Sequence, residues 1–507
     1  MSEEQTQAEH RSRPTGAAFR EFMTTGWRAG EDRVTPPSPV APFAATRREQ
    51  VSEAFAGERL VIPAGGLKVR SNDTDYVFRP HSAFAHLTGL GADREADAVL
   101  VLEPVQDEGG HDAVLYMRPP AGRDSAEFFA DSRMGEYWIG SRPDLDDVAS
   151  ELTIMTKDLG ELAGAVAKDL PSTRLRVVRD ADREVTALID QVRSHVVGED
   201  LDKASRARAE HEAQDADTAL ARHLSTLRLV KDDWEIEQMV QATEATARAF
   251  DAVVDALPEA ADSARGERWI EGVFGLHARH EGNGVGYDSI CAAGDHATTL
   301  HWIRNTGEVN ADELLLLDAG VETDALYTAD VTRTLPVSGA FSPPQRRVYE
   351  AVLAAQDAGL AACKPGNRFS DVHAAAIRVI AETLFDWGLL PEGVGVEETL
   401  DAETGQFHRR WMVHGTSHHL GIDVHDCALA VREDYMEGVL REGMVITVEP
   451  GLYFKSDDEL VPNELRGIGV RIEDDVLITA EGYRNLSAML PRDADGVEAW
   501  IAAGGQR

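Results

Sequence analysis

Four histidines lie within sixteen residues of the chain, in the segment WMVHGTSHHLGIDVHD that covers residues 411–426. They are His414, His418, His419 and His425, and the whole chain of 507 residues has only 17 histidines. Histidine titrates near neutral pH and is the commonest metal ligand, so a cluster this dense predicts metal or acid–base chemistry. His414 and His418 have the spacing of the zinc motif HExxH, but no glutamate follows His414. The partners of these histidines must therefore lie elsewhere.

Three other stretches place acidic residues beside apolar runs that are typical of buried strands. The run LLLL ends at Asp318, and after a connection Asp330 stands at the head of VTRTLPV. In MVITVEPG the strand-like run ends at Glu449, and in GIGVRIEDDVLI the alternation puts Arg471 and Glu473 opposite the apolar face. Any one of these acids could simply face solvent. Because a buried unpaired charge costs several kcal/mol, their recurrence at strand ends indicates a functional site.

Charge balance predicts what these residues would need if they converged. Suppose that the four carboxylates of Asp318, Asp330, Glu449 and Glu473 met beside His418. Carboxylates so close would repel one another, and some would take up protons unless cations were present. Two divalent ions would balance the four charges, with the imidazole as a neutral fifth ligand. Oxygen-dominated ligands without a thiolate favour Mn²⁺, although Co²⁺, Fe²⁺ or Zn²⁺ could occupy such a site.

The elements that must position these residues belong to a long globular chain. At about 150 residues per domain, its length predicts two or three domains, and its 43% hydrophobic residues are typical of a sizeable core. Polar residues 1–45 end in the proline-rich TPPSPVAPF, which predicts an extension without regular structure. Beyond it we expect an α/β domain over 46–205, a helical connector over 206–230, a second α/β domain over 231–495 and a tail over 496–507.

Local patterns support the α/β assignment of the first domain. Apolar runs at 60–64, 98–104 and 113–119 predict strands. Residues 161–170 and 183–196 have the apolar spacing of helices. The sequence therefore predicts a mixed α/β fold.

Charge, hydropathy and cysteine content exclude several classes of protein. The formal net charge of −39 repels nucleic acid and anionic membrane surfaces, so we expect neither as a partner. No stretch approaches the ~18 apolar residues of a membrane span, and the first residues do not resemble a signal peptide, which predicts a cytoplasmic protein. The three cysteines lie outside any CxxC pair, which fits a reducing compartment and argues against a four-cysteine zinc site.

The order Asp, Asp, His, Glu, Glu resembles that of the pita-bread metallopeptidases, and in particular their bacterial aminopeptidase P branch. The similar segments follow one another across about residues 230–490, and they are DAG…TADVTRTLPVSG, HGTSHHLGIDVHD, VEPGLY and RGIGVRIEDD. Residues 72–90 are similar to the N-terminal domain of the aminopeptidase P and prolidase branch. The resemblance implies a creatinase/prolidase-type α/β domain followed by a pita-bread catalytic domain.

The resemblance also implies roles for individual residues. Asp330 and Glu473 would bridge two divalent metal ions, with Mn²⁺ expected, and the full set of ligands would be Asp318, Asp330, His418, Glu449 and Glu473. His301, His414 and His425 would lie at the substrate, and Arg471 would steady the carboxylates and the product end. His419 stands at a variable position and is expected to be structural. The spacing between Asp318 and Asp330 is one residue longer than the commonest spacing in the family. We expect the loop ETDALY (322–327) to accommodate the additional residue.

The implied reaction is release of the N-terminal residue from peptides with proline in the second position. A hydroxide that bridges the metals would attack, Glu449 would carry a proton to the leaving nitrogen, and His425 would donate to the oxyanion. Three alternatives stay open: an Xaa-Pro dipeptidase (prolidase), a metal-free hydrolase of the creatinase type, and a non-catalytic binding protein. The last two should have lost ligands. We also expect a homo-oligomer, either a dimer or a tetramer.

Overall fold

A computed structural model describes residues 16–28, 35–105, 109–197 and 202–505. The chain divides into two compact units. The first comprises Met1–Gly89 with Glu95–Gln214, and the second Leu90–Arg94 with Asp215–Arg507. Among the described residues, no helix combines the length and the apolar character needed to cross a membrane.

The first unit is built on a five-stranded mixed sheet. Its helices are α1 (Ala17–Thr24), α2 (Ala41–Ala54), α3 (Ser82–Thr88), α4 (Glu127–Ala130), α5 (Glu136–Ile139), α6 (Leu145–Leu152), α7 (Leu162–Ala167) and α8 (Arg183–Val197). Its strands are β1 (Arg59–Pro63), β2 (Val69–Ser71), β3 (Thr74–Asp75), β4 (Val99–Pro104), β5 (His111–Met117), β6 (Met155–Asp158) and β7 (Leu175–Val177). The sheet has the order β6-β5-β4-β1-β7, with β1–β7 and β5–β6 parallel and the other two pairs antiparallel.

The central strands of this sheet are covered on both faces. All five residues of β1 are buried, as expected for a near-continuous apolar run between two layers. On one face Val61 and Val99 pack with Val166 of α7 and Ile189 of α8. The other face lies against α2 and α3. The predicted α/β architecture is confirmed.

Regular structure begins earlier than the sequence predicted. Within the predicted extension 1–45, α1 forms about two turns of helix, with the ring of Phe19 edge-on to that of Phe129, and α2 begins at Ala41 with Ala41 and Ala44 buried. Pro42 does not prevent α2 because it lies in the first turn, where a helix needs no N–H donor. The rest of the extension includes residues 1–15 and 29–34, which lie outside the described residues.

The second unit contains the predicted catalytic residues. Helix α9 (Lys203–Leu227) includes the boundary between the units. The helices that follow it are α10 (Asp233–Asp255), α11 (Leu257–Ala261), α12 (Gly266–Glu281), α13 (Pro343–Ala362), α14 (Phe369–Asp386), α15 (Val396–Leu400), α16 (Arg432–Tyr435) and α17 (Ala494–Ala502). The strands are β8 (Gly284–Val285), β9 (Ile290–Ala293), β10 (Leu314–Ala319), β11 (Val321–Glu322), β12 (Val331–Pro336), β13 (Val445–Val448), β14 (Gly451–Phe454), β15 (Ile468–Arg471), β16 (Asp474–Ile478) and β17 (Tyr483–Asn485). Short 3₁₀ helices lie at Leu159–Glu161, Gly294–Thr298, Phe407–Arg410 and Asn463–Leu465.

The strands of this unit form four small antiparallel sheets. Their orders are β12-β10-β9, β11-β8, β13-β16-β17 and β14-β15. Helix α17 differs from the tail predicted over 496–507, because Trp500 is buried and its Nε1 donates to Asp251 at 2.9 Å. The end of that segment, residues 506–507, lies outside the described residues.

Strand β10 carries Asp318, and Asp330 immediately precedes β12. The two strands pair without interruption, and Asp318 lies opposite Thr332. The loop between them contains a tight turn in which the N–H of Leu326 donates to the carbonyl of Thr323 at 2.8 Å, with Leu326 at a φ of 73°. The predicted pairing of these strands is therefore confirmed, and the additional residue leaves their register intact.

The histidine segment is extended rather than helical. Residues 416–420 run beside β13, since the N–H of Thr447 donates to His418 O at 2.9 Å and that of Leu420 to Val445 O at 3.1 Å. Gly415 and Gly421 flank the segment, which agrees with the low helix propensity of glycine. The backbone pairing brings His418 close to Glu449, which immediately follows β13.

The predicted alternation over 467–478 is divided between two strands. β15 pairs with β14 and β16 pairs with β13, while Ile472 and Glu473 lie in the break between them. The N–H of Glu473 donates to Thr332 O at 3.1 Å, which joins this break to β12. The acidic face does not meet solvent, because Glu473, Asp474 and Asp475 are all buried.

Candidate active site

One cavity of about 610 Å³ brings together all nine predicted site residues. They are Asp318, Asp330, His418, Glu449, Glu473, His301, His414, His425 and Arg471. The volume lies within the range of small-molecule and peptide-end sites, roughly 300–1,000 Å³. The nine residues come from strands, strand ends and loops that are far apart in the sequence, so the fold alone creates this arrangement.

The five candidate ligands are neighbours. Ligand atoms of Asp330, His418 and Glu473 all lie within 4.8 Å of one another. His418 Nε2 is 3.2 Å from Asp330 Oδ2 and 3.8 Å from Glu449 Oε1. Asp318 joins the group through the hydroxyl of Tyr287, which is 2.7 Å from Asp318 Oδ1 and 2.5 Å from Asp330 Oδ1.

Burial and mutual repulsion make this group a strong site for positive charge. Burial, followed by repulsion from Asp330, Glu449 and Asp318, raises the pKa of Glu473 well above its usual range. Burial also raises the pKa of Glu449 to about 8, despite the attraction of His418 and Arg471. Among the protein groups alone, the carboxylates therefore favour protons or cations at the centre of the cluster.

His418 has the orientation and tautomer of a metal ligand. Its Nδ1 lies 3.1 Å from the carbonyl oxygen of His419, which can only accept, so Nδ1 carries the proton and Nε2 faces the carboxylates. Although burial lowers the pKa of His418, the hydrogen bond and charge of Asp330 outweigh it and raise the pKa to about 9. A donor set of carboxylate oxygens and one imidazole nitrogen fits a divalent ion.

Arg471 links the ligand cluster to the substrate side of the cavity. Its buried guanidinium forms an ion pair with Asp318 through Nη2, and Nη1 donates to the hydroxyl of Tyr453 at 3.0 Å. Nε donates to Thr332 Oγ1 at 3.2 Å, and the Thr332 hydroxyl is 2.6 Å from Glu473 Oε2. Arg471 therefore holds Asp318 of β10 and Thr332 of β12 in a fixed relation.

His414 is a neutral imidazole in a defined tautomer. Nδ1 lies 2.6 Å from the carbonyl oxygen of Gly415 and so carries the proton, while Nε2 accepts from the Tyr453 hydroxyl at 2.8 Å. Burial, assisted by Arg471, lowers the pKa of His414 to about 3. His414 Nδ1 is also 3.5 Å from Glu449 Oε2, so the imidazole borders the ligand cluster.

The two remaining histidines of the cavity are exposed. The ring of His425 lies edge-on to that of His418, with 4.4 Å between the ring centroids. Burial lowers the pKa of His425, so its imidazole is neutral near pH 7. His301 lines the same cavity from a turn after the 3₁₀ helix Gly294–Thr298.

A buried carboxylate organises the loop that carries His301. Glu267 is fully buried at the start of α12 and accepts hydrogen bonds from both sides of that loop. The donors are Ala293 N at 2.9 Å, His296 Nδ1 at 2.7 Å, Trp302 Nε1 at 2.9 Å and Gly307 N at 2.5 Å. Because Trp302 directly follows His301, this carboxylate restricts where the His301 backbone can lie.

His419 lies away from the cavity. Its ring stacks on Phe369 with centroids 4.9 Å apart and meets Tyr435 edge-on at 4.7 Å. Burial lowers the pKa of His419 to about 3, and neither ring nitrogen has a hydrogen-bond partner among the described residues. Its surroundings are those of a core side chain.

The sequence did not reveal Tyr287, Tyr453 or Glu267 as parts of the site. Tyr453 could have been predicted from the sequence, because it lies on β14, which begins two residues after Glu449. No sequence pattern indicates Tyr287 or Glu267, since both reach their partners only through tertiary contacts across several elements.

Comparison with known proteins agrees with this geometry. Residues 44–176 match "Aminopeptidase P, N-terminal domain", and residues 237–480 match "Metallopeptidase family M24". Xaa-Pro aminopeptidase 1 of Streptomyces coelicolor is 50% identical over 483 residues, which cover 95% of this chain and 91% of that protein. Xaa-Pro aminopeptidase 2 of the same organism is 48% identical over 486 residues, with 96% of each chain covered.

Solved structures show the same similarity. The aminopeptidase PepP of Pseudomonas aeruginosa superposes with a TM-score of 0.76 at 29% identity, over 93% of this chain and 99% of that one. Aminopeptidase P of Escherichia coli has a TM-score of 0.75 at 28% identity, over 92% and 98%. The two-domain architecture and the cluster of carboxylates around His418 thus have a common explanation: this chain belongs to metallopeptidase family M24 and is a metal-dependent enzyme.

Proposed function

We propose that the enzyme is an exopeptidase that releases the N-terminal residue from peptides with proline in the second position. The observation that carries the proposal is the convergence of four carboxylates and one imidazole in a single cavity, beside three further histidines and a buried arginine. The similarity to the two Xaa-Pro aminopeptidases of Streptomyces coelicolor supports the choice of substrate. Cytoplasmic location and assembly as a dimer or tetramer stay predictions.

The proposed metal centre is dinuclear and uses Mn²⁺. Asp318, Asp330, His418, Glu449 and Glu473 would hold the ions, since four carboxylates require about two divalent charges for neutrality. Bound divalent ions supply a nucleophilic water at neutral pH and polarise the scissile carbonyl. Aminopeptidase P of Escherichia coli is known as a Zn-substituted enzyme in complex with product, which supports a divalent ion at this centre.

Residues of the chain itself would move the protons. Glu449 is suited to accept a proton from the attacking water, because its carboxylate lines the cavity beside the other ligands, with Oε1 3.8 Å from His418 Nε2. It would return that proton to the proline nitrogen as the amide bond breaks. His425, exposed on the cavity side of His418, would donate to the developing oxyanion. His301 and His414 would orient the peptide, with Tyr453 and Gly415 fixing the tautomer of His414.

The distribution of arginines favours an aminopeptidase over a dipeptidase. A prolidase must capture the carboxylate of the proline, for which a cation inside the cavity is needed. Arg471 is bound to Asp318, Tyr453 and Thr332, and the fully buried Arg333 is bound to Asp474 and main-chain carbonyls. Arg304 stacks over Trp302 at 5.6 Å and is not part of the cavity lining. Among the described residues that line the cavity, no arginine or lysine is therefore left to bind the carboxylate of a proline, which favours longer peptides as substrates.

We therefore expect Xaa-Pro-Yaa tripeptides to be cleaved faster than Xaa-Pro dipeptides. The comparison is kcat/KM for Ala-Pro-Ala and Ala-Pro at one fixed Mn²⁺ concentration, with a peptide lacking proline in second position as control. Mn²⁺ should stimulate and a chelator inhibit both reactions. A clear preference for Ala-Pro would assign the enzyme to the prolidases and leave the metal centre unchanged.

Metal content provides a second, independent test. After loading with Mn²⁺ and removal of excess by gel filtration, elemental analysis should find about two ions per chain, as charge balance requires. Asp330→Asn, which removes a charge at the centre of the cluster, should reduce this number. An active, folded sample with a stoichiometry near zero would contradict the proposed mechanism.

A further inference from the structure

A second cavity of about 330 Å³ lies beside the first in the same unit. The two are adjacent because Leu300 lines both, and because Tyr453, which lines the second, is hydrogen bonded to His414 of the first. A chain that leaves the active-site cavity past Leu300 and His414 would enter this second cavity. A peptide advances at most about 3.3–3.6 Å per residue, so neighbouring residues of one substrate can occupy adjoining cavities.

The walls of the second cavity combine aromatic and aliphatic surface. The rings of Trp411 and Tyr453 are almost fully buried and form fixed walls, whereas Val413 is 52% exposed. The exposed part of Val413 offers a contact for an apolar side chain, since burying apolar area is favourable by about 25 cal/mol per Å². The aromatic walls of the cavity are rigid, and Asp458 holds Trp411 by accepting from its Nε1 at 3.0 Å.

Two of the four charged side chains of this cavity are paired with each other, whereas Lys455 and Asp457 form no ion pair among the described residues. Arg410 binds Asp458 through two hydrogen bonds of 2.9 and 2.8 Å. Lys455, by contrast, makes one weak contact, 3.3 Å from its Nζ to the carbonyl oxygen of Thr298. In the described part of the chain, no carboxylate forms an ion pair with Lys455. Although the chain has a formal net charge of −39, the ammonium group of Lys455 thus has no carboxylate paired with it.

We propose that this second cavity binds the residue that follows proline and that Lys455 pairs with the terminal carboxylate of an Xaa-Pro-Yaa tripeptide. The inference rests on the proposed function and names the substrate class more closely: short peptides with a free carboxyl end and an apolar third residue. A dipeptide could not use Lys455 in this way, because its carboxylate belongs to the proline and lies one residue nearer the metal centre.

The test compares two substrates that differ only in charge. With the full-length, Mn²⁺-loaded enzyme, kcat/KM is measured for Ala-Pro-Ala and for its C-terminal amide. We expect kcat/KM to be about two- to fivefold higher for the free acid than for the amide, which is the size of effect typical of an exposed ion pair. High salt should reduce this ratio, because it screens the ion pair. Lys455→Gln should remove this preference, and Lys455→Glu should reverse it. Asp457, an acidic residue of the same cavity, opposes the carboxylate, so Asp457→Asn should increase the preference.

Lys364→Gln provides the matched control, because Lys364 is also an exposed lysine of this unit but lies outside both cavities. Its ratio of acid to amide cleavage should equal that of the unsubstituted enzyme. An unchanged ratio in Lys455→Gln would overturn the assignment of Lys455 to the carboxylate. If the unsubstituted enzyme cleaved no Xaa-Pro peptide at all, the proposed function would fail instead, so the two failures are distinguishable.

Discussion

Glu449→Ala is expected to lose both metal ions and peptide cleavage. Glu449 borders the cluster of Asp330, His418 and Glu473 and is also the proposed proton carrier. Its loss removes a ligand and a general acid–base group, for which the second effect alone is worth about 10²- to 10⁴-fold in rate. Metal content by elemental analysis and kcat for Ala-Pro-Ala should therefore fall together.

His425→Ala is the control that separates ligands from other site residues. His425 contacts His418 ring to ring but is not part of the group of ligand atoms, so the metals should be retained. Loss of a transition-state donor should lower kcat by about 10²- to 10³-fold with a smaller change in KM.

His419→Ala should leave metal content and kcat nearly unchanged, since His419 packs against Phe369. An effect of His419→Ala as large as that of His418→Ala would refute our assignment of the histidines.

Much of the candidate site could be predicted because its residues interrupt local patterns. Asp318 and Glu449 stand where apolar strand patterns change, and four histidines crowd into one segment. These signals depend on neighbours in the sequence, and strands β1, β4, β5 and β10 were recognisable for the same reason. The backbone pairing of residues 416–420 with β13 then explains why the histidines and Glu449 meet.

Other features depend on contacts that no local pattern encodes. Glu267 is an ordinary acidic residue of an amphipathic helix until the loop around His301 folds onto it. The break at Ile472 and Glu473 arises because β15 and β16 pair with different strands, which the uninterrupted alternation conceals. The proline content also gave a wrong prediction for the end of the N-terminal segment, where α2 begins at Ala41. Pro42 lies in the first turn of α2, which is the turn of a helix that tolerates proline.

The fold relies on a second charged group behind the site, and its removal should be among the most destabilising substitutions. Arg333 and Asp474 are both fully buried and form an ion pair of 2.7 Å between β12 and β16. Arg333 also donates to the carbonyl of Glu473 at 2.7 Å, so it ties together β12 and β16, the strands that Asp330 and Glu473 immediately precede. Asp474 is further bound by Ser487 and Gln356.

Arg333→Met should therefore cost about 3 to 5 kcal/mol in the free energy of unfolding, because it leaves the Asp474 carboxylate buried without a countercharge. Arg333→Met/Asp474→Asn should recover part of that loss, since the amide can keep hydrogen bonds to Ser487 and Gln356 without a charge. Urea unfolding followed by tryptophan fluorescence measures the free energy of unfolding of both variants. Metal-free protein is used so that metal binding to the folded state does not contribute.

Arg378→Met breaks the exposed pair with Glu397 in the same unit and should change the urea midpoint little. Equal losses in Arg333→Met and Arg378→Met would mean that the buried pair does not hold β12 against β16.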